Sequence, residues 1–271
     1  MIHPKTAARN SNEILGGFVQ LLRPLNAVMS MIGVFIGYSL AYGGFHFDIS
    51  LVYALLSVFF ISGGGQAIND YFDYEIDKKR KANRPLVRGL ISKKNGLIYS
   101  LALFALGIIL ASFLTETAFW IAVFFSILLI LYSALMQKIK FVGNVIVSLG
   151  VAFTFIFGAS AIGLVPIVLL IAIPAFFANW VREVIKDVED AEEDKNHKIT
   201  LPHILKKNHV KWITLGLFML AIITGYLPTF FGLGDWKYPL LVTLSNVVFI
   251  LAVRAFVRNH AEKSQSLVKR W

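Results

Sequence analysis

Eight apolar runs of about 20 residues recur along this chain, at roughly 18–43, 51–72, 95–114, 117–136, 142–161, 164–186, 210–231 and 238–257. Wound as a helix, a run of that length spans the ~30 Å hydrocarbon core of a bilayer. Within that core every backbone N–H and C=O must be satisfied inside a helix or a closed barrel. None of the runs alternates with the period of two that a membrane barrel strand requires, so they read as helices. The expected fold is all-α: one membrane-embedded domain over 1–271, a polytopic bundle of eight or nine transmembrane helices. Composition agrees, with 57% hydrophobic residues, 15% charged residues and a mean hydropathy of +0.69. A soluble domain carries about a quarter charged residues. Gly33, Gly37, Pro174 and Pro228 interrupt the runs, as packed membrane helices tolerate.

The chain has no cysteine, which removes disulfides, thiolate metal ligands and a cysteine nucleophile. Its first 17 residues are polar and mixed, so no signal peptide is expected. The net charge of +10 is distributed asymmetrically. With the N-terminus inside, the cytoplasmic segments are the N-terminus, 73–94, 137–141, 187–209 and the C-terminus. Counting these and the adjoining helix ends, 25 of the 26 Lys and Arg lie inside and Lys237 alone lies outside. This positive-inside bias predicts a multi-pass protein of the cell membrane with its N-terminus and acidic loops cytoplasmic. Orientation and contact with anionic membrane lipids account for the basic excess, so nucleic acid is not an expected partner.

Of 16 acids, 11 fall in two clusters. The first is Asp70, Asp73, Glu75 and Asp77; the second runs from Glu183 through Asp187, Glu189, Asp190, Glu192 and Glu193 to Asp194. Both sit at the cytoplasmic end of an apolar run. Asn69, Asp73 and Asp77 are spaced i, i+4, i+8 and form one stripe on a continuing helix. Glu183, Asp187, Asp190 and Asp194 have offsets 0, 4, 7 and 11, which fall within a sector of roughly 60°. Like charges stacked on one face repel by a few tenths of a kcal/mol per pair, so a cation is expected between the stripes. Oxygen-only ligands suit a hard divalent ion such as Mg²⁺, held by carboxylates and by the phosphates of a ligand. Asp70 and Glu75 read as solvated. The segment 78–94 reads either as a lid or as a plain surface loop.

An internal repeat accompanies the acids. Asp73-x-x-x-Asp77 and Asp190-x-x-x-Asp194 are offset by 117 residues, and Asn26-x-x-x-Ser30 and Asn144-x-x-x-Ser148 by 118. Pro85 and Pro202 follow the two clusters. The expectation is a pseudo-repeat of two four-helix halves, about 18–136 and 142–257, with the site at their interface.

These elements carry a family resemblance. "RPLN" at the first span, "NDYFDYEID" followed by "NRPLVRG", and "KDVEDAEED" with a later "TLP" resemble the UbiA-type intramembrane prenyltransferases. The resemblance implies a Mg²⁺-dependent site that ionises a prenyl diphosphate and transfers its allylic carbon to an acceptor. It assigns Asn69, Asp73 and Asp77 to the family's first motif and Asp190 and Asp194 to its second, with Asp187 one turn earlier as a further metal ligand. It places Arg23 and Asn26 at the substrate. Cationic groups for the phosphates are Arg84, Arg88, Lys138, Lys140, Arg182 and Lys186, each of which also serves as a positive-inside anchor. An aromatic face stabilises an allylic cation by about 0.5–2 kcal/mol, and Tyr132 is the ring placed for it. The family usually has nine spans, one more than the eight runs here.

Within the family, "RPLN", "YSALMQKIKFVGNVIVSLGVAFTFIFG" and the second acidic segment are most similar to enzymes that act on geranylgeranylglyceryl phosphate, a lipidic phosphate acceptor. The implied reaction adds a geranylgeranyl group from geranylgeranyl diphosphate in ether-lipid synthesis. An aromatic acceptor, of the 4-hydroxybenzoate or naphthoate type, is the alternative. A CDP-alcohol phosphotransferase would need a compact Gly-Ala-Arg signature that the sequence lacks. A transporter would carry ionisable residues deep in its spans, whereas the acids here gather at two helix ends.

Overall fold

The computed structural model describes residues 11–136, 140–163, 166–189, 201–232 and 235–257. Helices follow the apolar runs: α1 (Ser11–Leu22), α2 (Pro24–Tyr42), α3 (Ile49–Lys79), α4 (Lys93–Ala111) and α5 (Glu116–Leu131), with a π-helical turn over Tyr132–Met136. The second half holds α6 (Lys140–Ser160), a 3₁₀ turn at Pro166–Val168, α7 (Leu169–Glu189), the short α8 (Leu201–Ile204), α9 (Lys207–Gly225), the short α10 (Leu227–Phe230) and α11 (Lys237–Val257). Among the described residues, eight helices are long and apolar enough to cross a membrane. The protein is a multi-pass membrane bundle. Exposed Trp120, Phe124 and Ile127 on α5, and Met219 and Ile223 on α9, belong to its lipid-facing jacket.

The first apolar run, expected as one span over 18–43, is instead two helices broken at Arg23. Pro24 has no N–H to donate and disfavours the right-handed helical region for the residue before it. Arg23 accordingly adopts the left-handed conformation, φ 49 and ψ 68, at a cost of about 1–2 kcal/mol for a non-glycine residue. Pro24 then opens α2, where its fixed φ suits the first helical position. The break redirects the Arg23 side chain, with consequences at the site.

Elsewhere local chemistry sets the helix ends. The Asp48 carboxylate accepts from Leu51 N (2.9 Å) and Thr115 Oγ from Ala118 N (3.1 Å), capping α3 and α5. Gly43, at φ 75, closes α2. Asp48 also accepts from the Tyr38 and Tyr42 hydroxyls, and the Tyr38 bond holds its carboxyl below the usual aspartate value.

Interhelical packing relies on small residues and on hydroxyls that reach carbonyls. Ser57 Oγ on α3 donates to Gly107 O on α4 (2.8 Å), and Ser100 Oγ on α4 returns a bond to Gly64 O (2.9 Å). The two halves meet along α2 and α6. A Cβ at Gly37 would lie 2.0 Å from Phe155 O, and one at Gly158 2.1 Å from Val34 O. Only glycine permits that backbone approach. One apolar core joins α2 to α5 around Val34, Tyr38, Leu51, Ile61 and Phe104. A second joins α7, α9 and α11 around Val181, Ile185, Phe218 and Phe249.

Candidate active site

At 31 residues α3 outruns its apolar segment and carries the first acidic row on its last turns. Asn69 Nδ2 donates to Asp73 Oδ2 at 3.1 Å, and Asp73 is buried at 6% exposure. Asp77, one turn on, lies 3.9 Å from Arg84 Nε. Arg84 belongs to the segment between α3 and α4. That segment is packed down rather than loose, because Leu86 and Ile91 are buried against Leu21 of α1 and Ala67 of α3. Lys93 Nζ closes it from the far end, 4.9 Å from the Tyr71 ring centroid and 5.3 Å from that of Tyr74.

The second row lies on α7. Asp187 is 2% exposed and accepts a hydrogen bond from Asn144 Nδ2 at 2.8 Å. Glu183 accepts from Arg182 Nη1 at 2.7 Å and has Lys186 Nζ at 3.9 Å. Asp190, Asp194 and Lys138, expected in the same site, lie outside the described residues, and Lys140 is described only as the first residue of α6. Tyr132 links the rows: the charges of Asp73, Glu183 and Asp187 all act on its phenol. It opens the π-helical turn, a distortion frequent at functional sites. Its ring lies so close to α6 that a Cβ at Gly143 would meet the hydroxyl at 2.6 Å.

One expectation needs correcting. Asp70, expected to be solvated, is 3% exposed and forms an ion pair with Arg23 Nη2. Arg23 Nη1 also donates to Gln66 Oε1 at 2.8 Å. Burial lowers the Arg23 pKa below the usual arginine value, with Asp70 opposing that shift. The charge of Arg84 acts on both members of the pair. Asn26 and Arg88, expected at the substrate, are exposed; the Asn26 backbone donates to Arg23 O at 2.9 Å and accepts from Ser30 Oγ at 3.2 Å. Glu75 is exposed, as expected.

A signal for Asp70 was present. Gln66, Asp70, Asp73 and Asp77 have offsets 0, 4, 7 and 11, the same as Glu183, Asp187, Asp190 and Asp194, shifted by 117. Reading the second pattern back onto the first half puts Asp70 on the row. Polar contacts recur at offsets of 118 and 117: Ser30 Oγ reaches Ser62 Oγ at 3.2 Å, and Asn179 Nδ2 reaches Ser148 Oγ at 3.2 Å.

The donor set suits Mg²⁺ in kind. It is all oxygen, without cysteine or histidine, and Mg²⁺ is typically held through one or two carboxylates plus substrate phosphates. No three acids among the described residues group tightly enough to hold a metal by themselves, so phosphate oxygens and the remainder of the second row would complete the shell. Arg23 beside Asp70, Arg84 beside Asp77, and Arg182 and Lys186 beside Glu183 bring positive charge to the rows.

Comparison with known proteins agrees with this geometry. The UbiA prenyltransferase family model matches residues 30–271. A digeranylgeranylglyceryl phosphate synthase from Thermococcus kodakarensis is 35% identical over 256 residues, covering 93% of this chain and 92% of that protein. The solved structure of a digeranylgeranylglyceryl phosphate synthase in membranes superposes with a TM-score of 0.82 at 32% identity, covering 95% of this chain and 92% of that one. A UbiA homolog from Archaeoglobus fulgidus bound to DMAPP and Mg²⁺ shares the fold, with a TM-score of 0.72 at 19% identity over 93% of this chain and 96% of that one. Matched by the family model over 30–271 and to these relatives over most of its length, the chain belongs to the UbiA prenyltransferase family and is a membrane prenyltransferase.

Proposed function

We propose that the enzyme transfers the geranylgeranyl group of geranylgeranyl diphosphate to geranylgeranylglyceryl phosphate, building the second chain of an isoprenoid ether lipid. The observation that carries this reading is identity of 35% with a digeranylgeranylglyceryl phosphate synthase across 93% of the chain. The crowd of cations at the site is consistent with two phosphorylated substrates. The recurring Ser30–Ser62 and Ser148–Asn179 contacts support a duplicated four-helix unit with the site between its halves.

In the reaction the allylic C–O bond breaks, diphosphate departs, and an acceptor hydroxyl oxygen forms the new ether bond as its proton leaves. Asp73 and Asp77 of the first row, with Asp187, Asp190 and Asp194 of the second, would hold Mg²⁺. When bound, the metal draws off the negative charge that grows on the leaving diphosphate. Arg84 neutralises the same charge from the first row, and Arg182 and Lys186 from the second. Such stabilisation is strongest where water is excluded, and Asp73 and Asp187 are both buried at the base of the site. Tyr132 presents a ring between the rows, where its face can stabilise the allylic carbon without a free carboxylate attacking it.

An acceptor screen tests the assignment. With geranylgeranyl diphosphate as donor, product is expected on geranylgeranylglyceryl phosphate, and product on 4-hydroxybenzoate or a naphthoate alone overturns it. The site is placed on the cytoplasmic side, supported by 25 of 26 basic residues falling there. In this cysteine-free chain, Ser92→Cys is expected to resist an impermeant thiol reagent added from outside the cell, and labelling from that side reverses the orientation.

A further inference from the structure

Asp70 is the acid of the first row that the metal chemistry leaves unused. It sits on α3 between Asn69 and Asp73, 3% exposed, with its carboxylate turned to Arg23. Arg23 is brought there from 47 residues away by the left-handed break between α1 and α2. Two contacts hold its guanidinium: Asp70 through Nη2 and Gln66 through Nη1 at 2.8 Å. The third donor, Arg23 Nε, is buried without a hydrogen-bonding partner, and so is Asp70 Oδ2. Nε is thus a donor that neither contact uses, and buried polar groups are ordinarily paired.

The second half does the equivalent job differently. Asp187 stands 117 residues after Asp70 and is paired with Asn144, itself 118 after Asn26. The position 118 after Arg23 is Phe141. The first half has thus exchanged a neutral amide partner for an arginine and left its own Asn26 exposed. An arginine adds a net positive group beside Asp77 and Arg84.

We propose that Asp70, with Gln66, is a positioning residue and not a metal ligand: it fixes the Arg23 guanidinium so that its free Nε N–H meets a phosphate oxygen of a bound substrate. This rests on the site being one that handles phosphorylated substrates, as argued above. Both substrates carry phosphate, so the chemistry is shared by the donor's diphosphate and the acceptor's monophosphate. Arginine suits it, because its planar fork can keep two N–H groups on Asp70 and Gln66 while a third serves the ligand.

The test compares purified wild type, Asp70→Asn, Arg23→Ala, the double variant, Gln66→Ala and Asp73→Asn. It measures binding of inorganic pyrophosphate with Mg²⁺, half-saturating Mg²⁺, and KM for each substrate. Asp70→Asn is expected to weaken pyrophosphate binding or raise one substrate's KM about tenfold, the loss of roughly one charge-assisted hydrogen bond, with half-saturating Mg²⁺ unchanged. Whichever substrate's KM rises identifies the phosphate that Arg23 holds. The double variant is expected to be no worse than Arg23→Ala alone, because Asp70 acts through Arg23. Gln66→Ala, which leaves the charges intact, is expected to move the same constants by a smaller factor. The proposal is overturned if Asp70→Asn shifts half-saturating Mg²⁺ as Asp73→Asn does, or if the two losses add. Pyrophosphate binding needs no acceptor, so failure to make product on geranylgeranylglyceryl phosphate sinks the assigned reaction and leaves this test intact.

Discussion

The two acidic helices, α3 and α7, carry their side chains at the same spacing and satisfy them by different chemistry. On α3 the buried carboxylate nearest the membrane, Asp70, meets the cation Arg23; on α7 its counterpart Asp187 meets the neutral amide of Asn144. A carboxylate buried with a charged partner depends on that partner for its charge balance. Removing an amide takes one hydrogen bond from the carboxylate it serves. The acids thus share a spacing on α3 and α7, while the contacts at Asp70 and Asp187 distinguish the two helices.

The largest expected effect probes what the rows share. Asp73→Ala removes a buried carboxylate that the metal would need, and the transfer rate is expected to fall by on the order of 10² or more. A wild-type rate in the purified variant would remove Asp73 from the site. Next comes the difference between the halves. Arg23→Ala removes the direct partner of Asp70 and is expected to cost about 3 kcal/mol of stability, the low end for a broken buried pair, since the Arg23 side chain is 25% exposed and Arg84 also acts on Asp70. Asn144→Ala is expected to cost only about 1–2 kcal/mol. Thermal unfolding in detergent ranks the two, and equal losses would erase the distinction. The seam between α2 and α6 offers a further contrast, and it includes the smallest effect. Gly158→Ala drives a Cβ onto Val34 O and is expected to cost about 1–3 kcal/mol. Gly216→Ala, with nothing within 4 Å of the added carbon, is expected to change stability by less than about 0.5 kcal/mol. Similar melting temperatures for both would show that the α2–α6 contact is not tight.

The eight spans could be read from run length because the bilayer sets that length, and no tertiary contact is needed to find them. The stripes of Asn69, Asp73 and Asp77 and of Glu183 and Asp187 were likewise legible, since helical periodicity alone puts them on common faces. The separation of Arg23 from the first span was missed, although Pro24 marked it. A residue before proline leaves the right-handed region by local sterics, but which conformation it takes depends on where its side chain is needed. Asp70 was misjudged for a related reason. Its neighbours in sequence are polar, and nothing local shows that a cation 47 residues earlier covers it. Asn26 and Asn144 begin matching motifs, yet one is exposed and the other buried.

By itself, then, the sequence determined that this chain is a membrane bundle of helices with two acidic rows on one side. Both properties follow from one-dimensional periods, the bilayer thickness and the helical repeat. The tertiary structure alone decided which acid is buried against which partner, and that Tyr132 stands within reach of both rows. Those outcomes turn on how closely helices approach. Approach distance is set by glycines on α2 and α6 and by one left-handed residue at Arg23, which act between segments and leave no periodic trace along the chain.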